Sequence, residues 1–530
     1  MKFAEAPIPR GQINLIPTCL EDLIPDGHSI RLLDELLDQL DWSAFNEQFR
    51  YEKRGRPPIA PRILAGIWIY AFFRRVSSSR QLEYQLNTNI EFMWLAHGFR
   101  IDHSTLAAFR KQNRSALKKI HSNLIQLAKD LGIIKIAELY VDGTRIAADA
   151  SRSRTMTAEK AGKLLEIVQK EIDAYLDKTE IADESDELFD DGTSGEELPE
   201  HLNTLNKRKE QLEKMIQTCQ EMDATRKRKG VDPKKNPFQL PLTDQDSRIL
   251  PNKDGGYAPN YTPIVGVEGD LGLIVSTIMI NSVNEQDYLV EMVNDVEQTY
   301  DVNVETVGAD AAYSTGTNIA ELEELRGKDF LSPHRNGDVQ EENPAIRDDP
   351  TGAVDEADVD KLPKDSSRGT FTTEAFVYDE EKDVYHCPQG RELTPAYKET
   401  QHQGRAQEVT RQVYQSSDCG GCPLVLHCRK GTGHKSGRRI CRDEHEKARS
   451  AHRQKMSSAD AKQRYSKRFT IGERPFGQFK RGFGMRRFQT RGHDSVSSEF
   501  TLAGLAHNLL RLTNYVGSVG NLRELITAKG

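Results

Sequence analysis

Three acidic residues stand far apart in this chain, in settings that suit metal-assisted chemistry on a phosphodiester. Asp142 and Asp310 each close a short apolar run that reads as a strand. Glu473 stands among cations in Tyr465-Ser-Lys-Arg468-Phe-Thr-Ile-Gly-Glu473-Arg-Pro-Phe-Gly-Gln-Phe-Lys480, and Arg481, Arg486, Arg487 and Arg491 follow it. A lone acid in positive surroundings suits a site that holds a metal ion and a phosphate together. Cutting a phosphodiester takes a water or 3′-hydroxyl activated by one ion and a leaving oxygen stabilised by another, the two about 3.5–4 Å apart. Hard oxygen ligands select Mg²⁺ or Mn²⁺. DNA is therefore the first substrate to consider.

Each acid also has an ordinary reading. Asp142-Gly143 between apolar alternations is a hairpin-turn signal, and Asp310 could cap a helix. Thr470-x-x-Glu473 matches a capping box, and Pro475 suits a first helical turn, so the glutamate lies at a helix start in either case. From there Lys480 falls two turns along on nearly the same face, where its ammonium could meet a phosphate. Glu499 is the rival third acid. It precedes an amphipathic C-terminal helix, Phe500 to Val516, and reads as compensation of that helix's dipole.

A second constellation is built of sulfur. Cys387, Cys419-Gly-Gly-Cys422 and Cys428 have the spacing of a four-thiolate Zn²⁺ site, with Cys441, His427 and His386 as alternative donors. Cys19 and Cys219 are isolated and read as packing residues. The module falls between the last core strand and the basic helix, which makes it structural or DNA-contacting rather than catalytic.

The elements that must position these residues follow from periodicity. Ile30, Leu33, Leu36, Leu37 and Leu40 repeat at helical spacing, and Arg54-Gly-Arg-Pro-Pro58 breaks the chain before an apolar helix from Ile63 to Phe73. Helices at 78–95 and 103–130 complete a bundle that is either a DNA-reading module or a dimerisation unit. Ala137 to Ala148 reads as two short strands around a tight turn. Charged helical residues 156–230 follow, interrupted by the acidic run from Asp183 to Glu200. Strands at 261–267, 271–280 and 304–310, helices at 285–300 and 318–325, and a short strand at 328–331 come next. Residues 333–370 are acidic and rich in Pro, Gly and Asp, and read as a flexible insertion before a cysteine module at 385–445. Strands, then helix–strand–helix–strand, then a late helix point to a mixed sheet flanked by helices, an α/β fold.

At 530 residues the chain is too long for one core. Its net charge of −8 conceals segregation, with about +10 in residues 451–530 and about −12 in 171–200. The overall acidity argues against nucleic acid, and the basic C-terminal part argues for it locally. Met1 to Pro17 lacks a signal-peptide core, and the Ile63 helix is too short to span a bilayer. Those features exclude a membrane and indicate the cytoplasm, where thiols stay reduced.

The order of these motifs resembles bacterial insertion-sequence transposases of the DDE superfamily. Val141-Asp-Gly-Thr144 looks like their first-aspartate strand and Ala309-Asp-x-x-Tyr313 like their second. Tyr465, Arg468, Glu473 and Lys480 look like the tyrosine–arginine–glutamate–lysine signature of one branch. The family pattern has three residues between arginine and glutamate, and this chain has four. Arg54-Gly-Arg-Pro-Pro58 and the helices after it resemble that branch's N-terminal domain.

The resemblance implies a ribonuclease-H-like catalytic core with two insertions, preceded by an all-helical N-terminal domain. It divides the chain into a DNA-binding domain at 1–130, core at 131–155, a charged helical insertion at 156–250 and core again at 251–332. An acidic linker with the zinc-like insertion at 333–460, and the basic catalytic and C-terminal helices at 461–530, complete it. It also implies Asp142, Asp310 and Glu473 as ligands of two Mg²⁺ or Mn²⁺ ions, acting on double-stranded DNA at the nucleoid. Tyr465, Arg468, Lys480, Arg481, Arg486, Arg487 and Arg491 would contact that DNA, and a homodimer would form the synaptic complex. A transposase that cuts the ends of its element and joins them to a target is the expected function. A domesticated, non-cutting DNA-binding regulator and a nuclease without joining activity are the alternatives.

Overall fold

The computed structural model of the chain describes residues 19–45, 57–186, 200–228, 230–252, 255–334, 342–365, 368–401, 408–417, 419–429 and 437–529. Arg54-Gly-Arg56 and most of the acidic run from Asp183 to Glu200 lie outside them.

Helices open the chain: α1 (Ser29–Asp38), α2 (Pro61–Phe73), α3 (Ser79–Thr88), α4 (Ile90–Leu95), α5 (His103–Gln112) and α6 (Arg114–Asp130). The expected apolar stripe of α1 is buried through Ile30, Leu33, Leu36 and Leu37. Asp102 caps α5, its carboxylate accepting the Thr105 N–H at 2.8 Å. The apolar α2 is buried over most of its length inside protein. Among the described residues, no helix is long and apolar enough to cross a membrane.

Strands β1 (Glu138–Gly143), β2 (Ile146–Ala147) and β3 (Thr155–Met156) lead into the long helices α7 (Ala158–Asp186) and α8 (Glu200–Arg228). These two helices pack together over a small core of their own, in which Cys219 is an ordinary buried residue. Then come β4 (Leu240–Pro241), β5 (Arg248–Pro251), β6 (Tyr257–Glu268), β7 (Ile274–Ile280), α9 (Leu289–Tyr300) and β8 (Thr306–Ala309). Helix α10 (Gly316–Ile319), a π-helical turn at Ala320–Leu325 and β9 (Asp329–Leu331) finish this stretch.

The main sheet has the order β7-β6-β1-β8-β9. Strand β6 is antiparallel to both β7 and β1, whereas β1, β8 and β9 run parallel. The first residues of β6 pair with β2 and β5 instead. Strands β1 and β2 thus both pair with β6 and form no hairpin with each other, contrary to the turn signal of Asp142-Gly143. Asp142 and Gly143 remain in the ladder, opposite Val265 and Ile264.

A second, antiparallel sheet holds β10 (Val377–Asp379), β11 (Val384–His386), β12 (Glu392–Gln401), β13 (Val409–Gln415) and β14 (Arg439–Asp443). Residues 342–365, expected as part of a flexible acidic insertion, fold onto it. Ala345, Val354, Val359 and Leu362 are buried in one cluster with Phe371, Tyr385 and Tyr414. The average composition of that stretch is acidic, but its few apolar side chains are the ones that reach the core.

The remaining helices are α11 (Val425–Cys428), α12 (Glu446–Ser457), α13 (Ala459–Ile471), α14 (Arg474–Gly477), α15 (His493–Val516) and α16 (Val519–Thr527). Helix α15 starts earlier than expected and is not amphipathic. Val496, Phe500, Leu502, Leu505, Leu509 and Leu512 are buried, and so are the polar Ser498, His507 and Asn508. It packs against α1, α2, α5, α6 and β7. Asn508 accepts the Ile274 N–H and donates to the Ile274 carbonyl, each at 2.8 Å, so its buried amide is satisfied. One continuous hydrophobic cluster therefore runs from the N-terminal helices through α15 to the sheet. Among the described residues up to 130, the buried apolar side chains belong to this shared cluster.

Candidate active site

Parallel pairing of β1 with β8 puts Val141 beside Ala309. The next residues, Asp142 and Asp310, therefore sit at adjacent strand ends. Asp142 is buried, and its Oδ1 accepts the Gly143 N–H at 2.9 Å. Asp310 accepts the Ala312 N–H on Oδ1 at 2.8 Å, while its carbonyl accepts the Ser332 hydroxyl at 2.7 Å. The next helix is capped by Thr315, so Asp310 is not a helix cap.

Glu473 arrives from the break between α13 and α14. The N–H groups of Gly472 and Glu473 both donate to the Arg468 carbonyl, at 2.8 and 3.3 Å, and close α13. Thr470 lies inside α13 and donates to the Lys467 carbonyl, so the anticipated capping box does not form. Pro475 does occupy the first turn of α14.

Arg468 connects the acids. Its Nη2 lies 3.0 Å from Asp142 Oδ2 and its Nη1 lies 3.1 Å from Glu473 Oε1. Burial opposes the guanidinium's charge, but Asp142, Tyr465, Asp310 and Glu473 outweigh it and its pKa moves up. Lys480 donates to Thr144 Oγ1 at 2.7 Å, so the segment carrying Glu473 is fastened to the Asp142 segment twice. The Tyr465 ring packs on Leu331, Met456 and Ala461. Burial first, and then Asp310 and Asp142, push its phenol up against the opposing charge of Arg468.

The seven residues expected at DNA thus divide. Arg481, Arg486 and Arg487 are exposed. Tyr465, Arg468 and Lys480 are engaged within the site. Arg491 is turned to Asp149, with Nε 2.7 Å from Oδ2. The segment bearing Arg486 and Arg487 runs beside β2, with the Phe488 N–H donating to the Ala147 carbonyl at 2.9 Å.

Glu499 has a different task from the one expected. It lies within α15 rather than before it, is buried, and accepts the N–H groups of Gln489 and Thr490 at 3.1 and 2.9 Å. The Thr490 hydroxyl adds a bond of 2.7 Å to the same carboxylate. Its bonds secure the loop at Gln489 and Thr490. Sequence reasoning passed over Glu285, whose Oε2 accepts the Tyr313 hydroxyl at 3.3 Å beside the Asp142-Gly143 segment. An acid opening a helical turn is too ordinary to have been singled out.

Among the described residues, no three His, Cys, Asp or Glu side chains converge closely enough to hold a metal ion. Between Asp142 and Glu473 the positive charge is supplied by Arg468. The surroundings nonetheless suit a hard cation. Burial, followed by the charges of Glu285, Asp142 and Asp310, pushes the Tyr313 phenol well up. Those oxygen donors are of the kind Mg²⁺ and Mn²⁺ take.

Cys387, Cys419, Cys422 and Cys428 line one cavity of about 20 Å³. Burial pushes the Cys428 thiol up to about 12 and the Cys387 thiol in the same direction. The alternative donors lie outside its lining: Cys441 faces Glu399, His427 stacks on Phe371, and His386 faces Asp379.

Residues 386–513 match the family described as a transposase DDE domain, and residues 18–112 match a family described as a transposase domain. The first match takes in the four cysteines and Glu473; Asp142 and Asp310 rest on the strand geometry. No curated protein and no solved structure matches the chain significantly.

Proposed function

We propose that the chain is an insertion-sequence DDE transposase, a reading the two matched domains support, and that it binds the inverted repeats of its element, cuts there and joins the freed ends to target DNA. The observation that carries this is the placement of Asp142 and Asp310 on adjacent parallel strands, with Glu473 tied to Asp142 through Arg468. The strand order, three antiparallel strands followed by two parallel ones, supports a ribonuclease-H-like core. The Tyr465, Arg468, Glu473 and Lys480 grouping supports the branch with that signature.

In this mechanism Asp142 and Asp310 hold their positions from rigid strand ends, and Glu473 enters from a helix start. Asp142, Asp310 and Glu473 would hold a pair of Mg²⁺ or Mn²⁺ ions, whose chemistry would be activation of the attacking water or 3′-hydroxyl and stabilisation of the leaving oxygen. Arg468 orients Glu473 and balances the acids until DNA arrives. Lys480, Arg481, Arg486 and Arg487 grip phosphates, the N-terminal helices read base edges, and a dimer brings two ends together. The four thiols hold one structural Zn²⁺ that fastens the second sheet.

Incubating the protein with Mg²⁺, DNA ending in the element's repeats and a target plasmid should give joined products. Cleavage without joining would make the protein a nuclease. Repeat-specific binding without cleavage would make it a domesticated regulator.

The division of labour on DNA is measurable. Changing Arg481, Arg486 or Arg487 singly to Ala should flatten the salt dependence of binding by about one unit of slope, equally on element ends and random DNA. Changing Lys111, exposed at the end of α5, should instead erode preference for the ends. If the arginine variants lose only end-specific binding, the roles are reversed.

A further inference from the structure

Glu138, Tyr140 and Asp142 alternate with Leu139 and Val141 along β1, so their side chains leave the same face of the main sheet. On the opposite face, Leu139 and Met292 of α9 both lie against Gly266. All three members of the first set meet the segment that carries Glu473. Glu138 Oε1 lies 2.9 Å from Lys467 Nζ, and Asp142 Oδ2 lies 3.0 Å from Arg468 Nη2. Between them stands Tyr140, fully buried, its hydroxyl donating to Glu138 Oε2 at 3.0 Å. Two glycines make room for it. Gly308 is its partner in β8, and a β-carbon there would come within 2.5 Å of the ring. A β-carbon on Gly472 would stand 3.3 Å from Tyr140 Cβ. Gly472 has a φ of −69° and Gly308 is not among the residues with positive φ, so neither is a glycine for the sake of its backbone. The backbone just before Glu473 therefore rests on Tyr140, and Asp142 follows two residues along the same strand, about 7 Å away.

Resting on the assignment of Asp142 and Glu473 as metal-binding acids, we propose that Tyr140 is a positioning residue of that site. Its ring, bedded on Gly308, fixes where the end of α13 stops along β1, and so where the Glu473 carboxylate stands relative to Asp142. Tyr140 acts only through Gly472. The Glu138–Lys467 pair is partly exposed and contributes little by itself, which leaves the buried ring as the rigid part of the contact. Misplacing a catalytic group by about 1 Å costs on the order of 100-fold in rate, so this seating matters beyond the area it buries.

The test pairs hydrogen exchange of the metal-free, full-length protein with single-turnover cleavage of a duplex ending in the element's repeats. The N–H groups of Gly472 and Glu473 both donate to the Arg468 carbonyl, so their exchange reports the seating directly. In Tyr140→Leu that exchange should rise about 10-fold while β6 and α15 stay protected. Cleavage per folded molecule should fall by about 10- to 100-fold at unchanged DNA affinity, and Tyr140→Phe, which keeps the ring, should restore both readouts. Gly472→Ala should also cleave about 10-fold more slowly, although alanine suits a helical backbone better than glycine does. Exchange that rises throughout the main sheet in Tyr140→Leu, or that stays at the wild-type level, overturns the proposal. Should Tyr140→Leu fail to fold, Gly472→Ala decides alone. Wild-type cleavage then overturns the proposal, and slowed cleavage with a normal melt supports it. Glu473→Gln tests the underlying reading separately. If it cleaves at the wild-type rate while exchange at Gly472 and Glu473 responds to Tyr140→Leu, the seating stands and Glu473 is not the third acid.

Discussion

Changing Asp142 or Asp310 to Asn, or Glu473 to Gln, is expected to lower Mg²⁺-dependent strand cleavage by at least about 1,000-fold, equivalent to about 4 kcal/mol of transition-state stabilisation. Each change keeps the shape of the side chain and removes one anionic ligand. DNA binding should persist, because exposed Arg481, Arg486 and Arg487 are unaltered. Glu499→Gln supplies the contrast. That carboxylate accepts two backbone N–H groups and a hydroxyl in the interior, and replacing half of it with an amide sets donor against donor. The cost should appear as about 3 kcal/mol of stability, with cleavage per folded molecule retained. Melting curves alongside single-turnover cleavage separate the two effects. An inactive Glu499→Gln with a normal melt, beside an active Glu473→Gln, would show that the third acid is misassigned.

The second large effect concerns sulfur. Purified protein should carry about one Zn²⁺ per chain, and changing Cys419 and Cys422 together to Ser should remove it. Structural zinc contributes about 10–16 kcal/mol of binding free energy, nearly all of it available to hold the fold. The second sheet has its own hydrophobic cluster, separate from the main core, and can therefore loosen by itself. Hydrogen exchange after strong chelation should rise across 376–443 well before it rises in β1, β6 and β8. Metal analysis without zinc, or zinc retained in the double variant, would refute the assignment.

Much of the site could be read in the sequence because strand and helix ends leave local signatures. An apolar run closed by Asp142, another closed by Asp310, and Pro475 after Glu473 all announced element boundaries that the structure contains. Pairing left no such mark. Asp142-Gly143 carries a hairpin signal, yet its glycine is there because Glu285 leaves no room for a side chain, and that requirement comes from residues more than a hundred positions away. Residues 342–365 were obscured by their acidity, since burial of Ala345, Val354, Val359 and Leu362 depends on a sheet formed later in the chain. Phe500 to Val516 looked amphipathic because Asn508 and His507 are polar. Only tertiary contacts show that the Asn508 amide and the His507 ring, bonded to the Gly272 carbonyl at 3.2 Å, find partners inside.

The burial of α15 governs how the protein can be made. As the ribosome emits the chain, α1, α2, α5 and α6 emerge first, but the helix they surround is encoded some 360 codons after the end of α6. Domains generally fold as units in order of synthesis; here the unit stays open until residue 516 has left the exit tunnel. Translation that stops before His493 would leave those helices without the partner that fills their centre. Nonsense and frameshift alleles in this region would then be simple nulls. They would not yield stable fragments able to compete with the intact protein as dominant inhibitors.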